Sequence, residues 1–314
     1  MKTENNKKYR LLTRSDLDGL AAAVLLKHLD LIDEIVFVHP KDMQDGKIQM
    51  SGRDIATNLP YVEGVVLCFD HHESETLRGP KRDNHIIIPD ACSAARVVWD
   101  YYGGDKAFPP LFLPMIEAAD KIDAANLTMD EVMNPSGWVL LGFITDSRTG
   151  LGRFREFSVS NYDLMMRLIE LCRTKELDDI LELPDVVERV ELYHKHEDLA
   201  RRQIQKCSRV VGKTLITDLR GEESIYAGNR FTRYALYPDT NLSIQIMWGR
   251  DKQNVVVALW KSIFNKTSKI NIGALALGFE GGGHRGAGTC QVPEDQVDET
   301  IKEILHYVDE VEAL

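Results

Sequence analysis

The sequence predicts a two-domain α/β protein: a mainly parallel-sheet domain, a helical linker and a smaller mixed-sheet α/β domain. Three observations carry this. Strand and helix signals alternate from Tyr9 to Trp99, which implies crossover connections and parallel strands. From Pro110 to Leu183 the pattern is almost wholly helical, and Pro184 then opens a long charged helix. Beyond Cys207 the hydrophobic period changes to two. The expected boundaries are 1–183 for the first domain, 184–208 for the linker and 209–314 for the second.

Taken in order, Tyr9–Thr13 reads as a strand, and Leu17–Leu31, rich in Ala and Leu, as a helix. Ile35–Val38, Asp54–Thr57, Val65–Phe69 and His85–Ile88 read as further strands. A helix begins near Ser93, a plausible N-cap. The apolar run Leu140–Thr145 reads as one more strand, delivering Asp146 at its end. The linker helix covers Asp185–Cys207. In the second domain Arg233–Tyr237, Ser243–Met247 and Val255–Trp260 read as strands. Ile272–Leu277 and Val297–Val311 read as helices on either side of a glycine-rich turn.

At 314 residues, 44% hydrophobic and 28% charged, the composition is that of a globular protein with two cores. The polar stretch Met1–Lys8 lacks a signal-peptide core, and no apolar run approaches the roughly 18 residues of a membrane span. The five cysteines (68, 92, 172, 207, 290) are scattered, with no Cys-x-x-Cys pair, as in a cytoplasmic protein with reduced thiols. A net charge of −11 argues against affinity for long duplex nucleic acid. Between Ile225 and Arg285, however, eight basic residues face only Asp239, Asp251 and Glu280, a local net of +5. This stretch is either a set of solvated strand faces or a surface for a short anion.

Three clusters carry chemistry. Asp16 and Asp18 flank Leu17 just past the first strand, where two carboxylates repel unless a cation neutralises them; capping the helix is the alternative role. Asp70-His71-His72 closes the Val65–Phe69 strand, and adjacent imidazoles at that point suit a transition metal with Asp70 behind them. Asp146 precedes Ser147-Arg148-Thr149-Gly150, where a cap or turn role is equally open. Carboxylates with histidine and no cysteine suit Mn²⁺ better than a closed zinc site, and such an ion lowers the pKa of bound water. In the second domain Gly281-Gly282-Gly283-His284-Arg285 combines glycines that let backbone N–H groups approach phosphate with two side-chain donors.

On Ser15–Gly19, Phe69–His72, Cys92–Ala95, Thr145-Asp146 and Gly281–Gly288 together, the chain resembles the DHH/DHHA1 phosphoesterase family. The similarity spans both domains and is nearest the exopolyphosphatase-related branch, with likeness to nanoRNase and RecJ-type proteins. It implies a catalytic DHH domain, a linker helix and a substrate-holding DHHA1 domain, with the active site in the cleft between them. By position it implies that Asp16, Asp18, His71 and Asp146 are metal ligands, with Asp70 a ligand or a partner behind one. His72 would touch the scissile phosphate, with Arg148 or Arg285 stabilising phosphoryl charge. Gly281, Gly282, Gly283, His284 and Arg285 would hold the far end of the substrate, with Ser93 and Arg14 also placed as substrate contacts.

The chain also departs from the family. Leu12, Thr13, Arg14 and Ser15 supply no ligand where relatives have His or Asp. Asn58 falls where a metal-bridging aspartate is usual, with Asp42 or Asp45 as substitutes that do not align, and Phe264 stands where an arginine is common. The expectation is one well-formed Mn²⁺ (or Mg²⁺) site, with the second position open or replaced by the charge of Arg14. The expected activity is hydrolysis of phosphodiester or phosphoanhydride bonds in a short oligonucleotide, a dinucleotide or polyphosphate. The rival is a catalytically eroded phosphate-binding regulator on the same fold. Oligomeric state is open, with a homodimer as one option. His194 and His196 do not share a helix face; Asp120 and Asp123 could approach the site, with helix-surface ion pairing the favoured reading, and Trp138, Trp248 and Trp260 read as packing residues rather than base-stacking ones.

Overall fold

The computed structural model describes residues 8–72, 75–76, 80–154 and 156–313, without the side chain of His284. Contacts divide the chain into two compact units, Met1–His194 and Lys195–Leu314.

The first unit carries β1 (Tyr9–Thr13), α1 (Leu17–His28), β2 (Ile32–Phe37), α2 (Pro40–Gln44), β3 (Asp54–Thr57), β4 (Val65–Asp70) and β5 (His85–Ile87). The helices α3 (Ala94–Tyr101), α4 (Leu113–Asp123), α5 (Met129–Met133), α6 (Gly137–Thr145), α7 (Asn161–Leu171) and α8 (Leu177–Leu181) follow. The five strands are all parallel, in the order β2-β1-β3-β4-β5. In such a sheet the carboxyl ends of the strands share one edge, where ligands bind. Register aligns Leu12 with Ala56 and Thr57 with Phe69, so Arg14 and Asn58, just past their strands, and Asp70, the last residue of β4, emerge along that edge.

Helix α1 is buried from Leu17 to Leu26, apolar on every side beyond Asp18, and packs against α3, α4 and α7. It ends in a Schellman turn: Asp30 takes φ 58°, and the N–H groups of Asp30 and Leu31 donate to the carbonyls of Lys27 and Leu26. The helix therefore stops three residues short of the predicted Leu31, and β2 starts three residues before the predicted Ile35. Leu140–Thr145 is a correction: it is helix α6, not a strand. An unbroken apolar run has no period to distinguish the two. Here Ser136 starts a helix that packs on α4, with Gly142 against Leu17 and Ile122.

Helix α9 (Pro184–Cys207) contains the division between the units. The second unit adds β6 (Ser208–Val211), β7 (Thr214–Asp218), α10 (Thr232–Leu236), β8 (Leu242–Trp248), β9 (Val255–Lys261), α11 (Ile272–Leu277), β10 (Gly282–His284), β11 (Ala287–Val292) and α12 (Val297–Ala313). Its sheet, ordered β10-β11-β9-β8-β7-β6, is mixed, with β7 and β8 parallel and the other pairs antiparallel. One face packs Ile244, Ile246, Val257, Leu259 and Cys290 against α11 and α12 residues such as Ile272, Ile301 and Ile304. The predicted strand Arg233–Tyr237 is the one-turn helix α10; five residues are too few to separate a period of two from 3.6.

Candidate active site

The first strand delivers its carboxylates through a turn that only glycine permits. A Cβ on Gly19 would lie 2.0 Å from the Arg14 carbonyl oxygen, so this side-chain-free position lets the chain fold back and start α1 at once. Asp16 caps the helix, its Oδ1 accepting from the Gly19 N–H at 3.0 Å. Asp18, in the first turn, is 3% exposed and accepts from the N–H groups of Ala94 (3.1 Å) and Ala95 (2.6 Å), which open α3. The start of one helix thus fixes a carboxylate in the start of another. Ser93 is fully buried; its hydroxyl accepts from Arg96 N–H and donates to Asp120, so it caps α3.

The Asp70-His71-His72 cluster sits at the end of β4. Asp70 is fully buried, and its Oδ1 accepts from the backbone N–H of His71 (2.8 Å) and of His72 (3.2 Å) and lies 2.6 Å from His72 Nδ1. It therefore fixes both histidines and the His72 ring. His71 Nδ1 lies 3.2 Å from the Ala91 carbonyl, which can only accept, so Nδ1 carries the proton and Nε2 faces the acids. That nitrogen is 2.9 Å from Asp123 Oδ2 yet is not aligned as a hydrogen bond.

Asp18, His71 and Asp123 can each offer one ligand atom, all within 4.8 Å of one another. Of the two roles open to Asp123, the favoured surface ion pair does not hold: its side chain is only 11% exposed, at the end of α4 beside His71. Asp120, one turn earlier, does form the expected ion pair, accepting from Arg96 Nε at 2.9 Å and Nη2 at 2.7 Å. The signal for Asp123 was available: acids in the last turn of a helix oppose its dipole and need another reason to be there.

The expected ligands Asp16 and Asp146 line the same small cavity as Asp18 and Asp123, but with arginine as their partner. Asp146 Oδ1 accepts from Arg148 Nε at 2.8 Å and Oδ2 from the same nitrogen at 3.0 Å. Asp16 Oδ2 lies 3.3 Å from Arg14 Nε and 3.6 Å from Arg148 Nη2. Asn58 is 1% exposed, with neither amide atom hydrogen-bonded. Asp42 and Asp45 pair instead with Lys47 and Lys41 in and beside α2.

Burial and mutual charge perturb these three groups together. Burial, then the charge of Asp123, raises Asp18 to about 7. Burial alone would lower His71, but its contact with Asp123 and the charge of Asp18 lift it to about 9. Burial would raise Asp123, and His71 outweighs it and holds the carboxylate ionised. The His71 ring therefore offsets the charge of Asp123, while burial leaves the Asp18 carboxylate poorly compensated. Asp16 Oδ2, Asp70 Oδ2 and His71 Nε2 are all buried without a hydrogen bond. Oxygen and imidazole donors, some unsatisfied, fit a divalent cation such as Mn²⁺ or Mg²⁺.

The glycine-rich element of the second unit is the β10–β11 hairpin, turning at Arg285-Gly286. A Cβ on Gly283 would lie 2.2 Å from the Ala287 carbonyl oxygen, and one on Gly281 2.3 Å from that of Thr289. These two glycines are thus already required by strand packing, whereas a Cβ on Gly282 would meet nothing within 4 Å. Arg285 is exposed, and the His284 side chain lies outside the described residues. Phe264 follows β9 in a turn whose N–H donates to Ser262 Oγ at 3.2 Å.

No family model and no curated protein matches the chain. Among solved structures it is similar to the pGpG-specific phosphodiesterase PggH of Vibrio cholerae. The two are 55% identical with a TM-score of 0.82, over 97% of this chain and 100% of that one. It is also similar in fold to RecJ of Thermus thermophilus in complex with Mn²⁺. That match has 12% identity and a TM-score of 0.59, over 97% of this chain and 52% of the other. Near-complete coverage at this identity, with the aspartate and histidine clusters on the parallel-sheet edge and the glycine-rich hairpin in a mixed sheet, places the chain in the DHH/DHHA1 phosphoesterase family.

Proposed function

We propose that this chain is a metal-dependent phosphodiesterase that hydrolyses a short linear dinucleotide of the pGpG type, adding water across the internal diester to yield two mononucleotides. The Asp18–His71–Asp123 cluster carries the reading, in a chain 55% identical to a pGpG-specific enzyme along its length. Asp18, His71 and Asp123 would hold one divalent ion, Mn²⁺ or Mg²⁺. When bound, that ion supplies Lewis-acid polarisation of the phosphoryl group and acidifies water. The remaining chemistry belongs to side chains. Arg148, held in orientation by both oxygens of Asp146, presents a fixed guanidinium to phosphoryl charge as it develops. His72, its ring set by Asp70, donates to a phosphoryl oxygen. Arg14 and Arg148 already neutralise Asp16, which supports a single metal site rather than two.

The test uses the full chain with manganese on pGpG, polyphosphate and a nitrophenyl phosphodiester, together with metal analysis after desalting. The expected results are turnover of pGpG to GMP, loss of it in Asp18→Ala, and about one tightly held manganese per chain. Arg148→Ala should lower kcat by about 10²–10³, the range for removing one fixed donor from a developing anion. No turnover above Asp18→Ala would overturn the enzyme reading in favour of a phosphate-binding regulator. Two tight manganese ions would overturn the single-site assignment.

A further inference from the structure

Register puts Leu12, Ala56, Cys68 and His85 in one row across the parallel sheet, and alternation puts Asp70 on the same face as Cys68. Leu12, Ala56 and Cys68 pack there with Met43 and Leu59 in an apolar cluster. His85 closes the row on β5. Its ring stacks on Tyr61 with centres 5.0 Å apart, and the Arg82 guanidinium lies 4.4 Å from the Tyr61 ring centre. Asn58, just past β3, takes φ 55° and donates its N–H to the Phe69 carbonyl, which holds its backbone beside Asp70. Asp70 Oδ2, His85 Nε2 and both amide atoms of Asn58 are buried with no hydrogen-bond partner among the described residues.

Unpaired buried polar atoms are costly, so a small polar group belongs among these. The atoms themselves define its chemistry. A cation suits Asp70 but leaves the Asn58 Nδ2 donors unused, and Asp70 repels an anion. Water answers both: it accepts from Asn58 Nδ2 and donates to Asp70 Oδ2, with His85 Nε2 as a third partner. That makes roughly the three bonds typical of a buried water. The Asp70 charge reaches its neighbours on this face. It adds to the burial that raises the Cys68 thiol, and it opposes the burial that lowers His85. Burial and the charge of Arg82 still hold His85 below its ordinary value. Near pH 7 the ring is therefore a neutral partner and does not compete with His72 for the Asp70 charge.

We infer that a buried water joins His85 Nε2 and the Asn58 amide to Asp70 Oδ2, and that His85 is a positioning residue acting through Asp70 on His72. Asp70 Oδ1 already takes the N–H groups of His71 and His72 and the His72 Nδ1. Fixing Oδ2 as well stops the carboxylate from turning about its Cβ–Cγ bond. Oδ1 then stays on His72 Nδ1, and the ring keeps its direction. His71 takes its own ring orientation from the Ala91 carbonyl, so the metal set does not depend on this water. The effect on turnover rests on the dinucleotide reading; the hydrogen bonding does not.

The test uses the full chain: kcat and KM on pGpG with manganese, manganese titration, and proton NMR of the His72 Nδ1–H with magnesium, assigned by its loss in His72→Gln. His85→Phe keeps a ring on Tyr61 and removes Nε2. It should lower kcat by about 10- to 100-fold, the cost of losing a partner that orients a site residue. KM and manganese affinity should stay unchanged while the His72 resonance shifts. His85→Gln, which returns a polar atom at that reach, should restore both kcat and the resonance. Asn58→Gly accepts φ 55° and removes the amide, so it should shift the resonance as His85→Phe does. If His85→Phe does not fold, Asn58→Gly decides by the resonance alone. An unchanged resonance or kcat in His85→Phe, no restoration in His85→Gln, or manganese affinity falling with kcat overturns the positioning role and leaves the phosphodiesterase standing. A wild type that turns over no substrate overturns the phosphodiesterase instead. The resonance then judges the water: a shift in His85→Phe and Asn58→Gly that returns in His85→Gln supports it, and any other pattern overturns it.

Discussion

Asp120 and Asp123 lie one turn apart at the end of α4 and do different work. Asp120 meets Arg96 and the Ser93 hydroxyl, tying α4 to the start of α3. Asp123 meets His71 and belongs to the candidate metal set. Asp123→Ala should weaken manganese binding by at least the roughly 100-fold that loss of an outer-shell partner can cost, since a ligand itself is removed. Asp120→Ala should leave manganese stoichiometry unchanged and cost about 1–3 kcal/mol of stability through unpaired Arg96. Metal titration and urea unfolding of the two variants read these separately; equal manganese affinity in both would remove Asp123 from the set. Asp18, Asp70 and His71 were legible because they crowd into short runs at predicted strand ends. Asp123 was only faintly legible, as an acid in the last turn of a helix, and only folding brings it to His71.

At the scale of elements, two glycines separate steric need from tolerance. In Gly19→Ala the new Cβ meets backbone, the Arg14 carbonyl at 2.0 Å, which cannot move without shifting Asp16 and Asp18. In Gly142→Ala it meets the Ile122 side-chain tip at 2.4 Å and Leu17 at 3.0 Å, while α6 gains about 1 kcal/mol of helix propensity. Gly19→Ala should therefore cost at least the ~1–3 kcal/mol of an overpacked core and lose manganese binding, and Gly142→Ala should cost less and keep it. Reversed ranking in a denaturant series with metal titration would refute this. Strands β1, β3 and β4 were legible because β-branched or apolar runs end in turn residues. Helix α6 was not, since burial on all sides erases the period that tells helix from strand. A second contact gives a pH dependence. Glu222 accepts from Gln203 and Lys206 of α9, and these bonds hold its carboxylate down to about 2. Its stabilisation is full above the unfolded pKa near 4.5 and is lost as pH falls through 2. Glu222→Gln should lower the Tm at pH 7, with the gap to wild type closing between pH 4.5 and 2; a gap constant with pH would exclude the carboxylate as its cause.

For the molecule as a whole, the division of the chain within α9 makes metal binding a local event in stability. Asp18, His71 and Asp123 all belong to the unit ending at His194, whereas the second unit closes its own core around Ile244, Val257 and Leu259. A ligand stabilises only what must unfold to release it, by about 2.7 kcal/mol at 100 times its Kd. Manganese at that excess should therefore slow hydrogen exchange by about 100-fold at first-unit amides that exchange only on unfolding. The Ala94 and Ala95 N–H groups, which donate to Asp18, should respond most directly. Amides of β8 and β9 should exchange at the same rate with and without metal, and EDTA should reverse the effect. Mass-spectrometric exchange on the full chain reads both units in one experiment. Slowing in β8 and β9 equal to that in α1 and α3 would mean that the units unfold as one, and slowing in neither would remove the metal from the first.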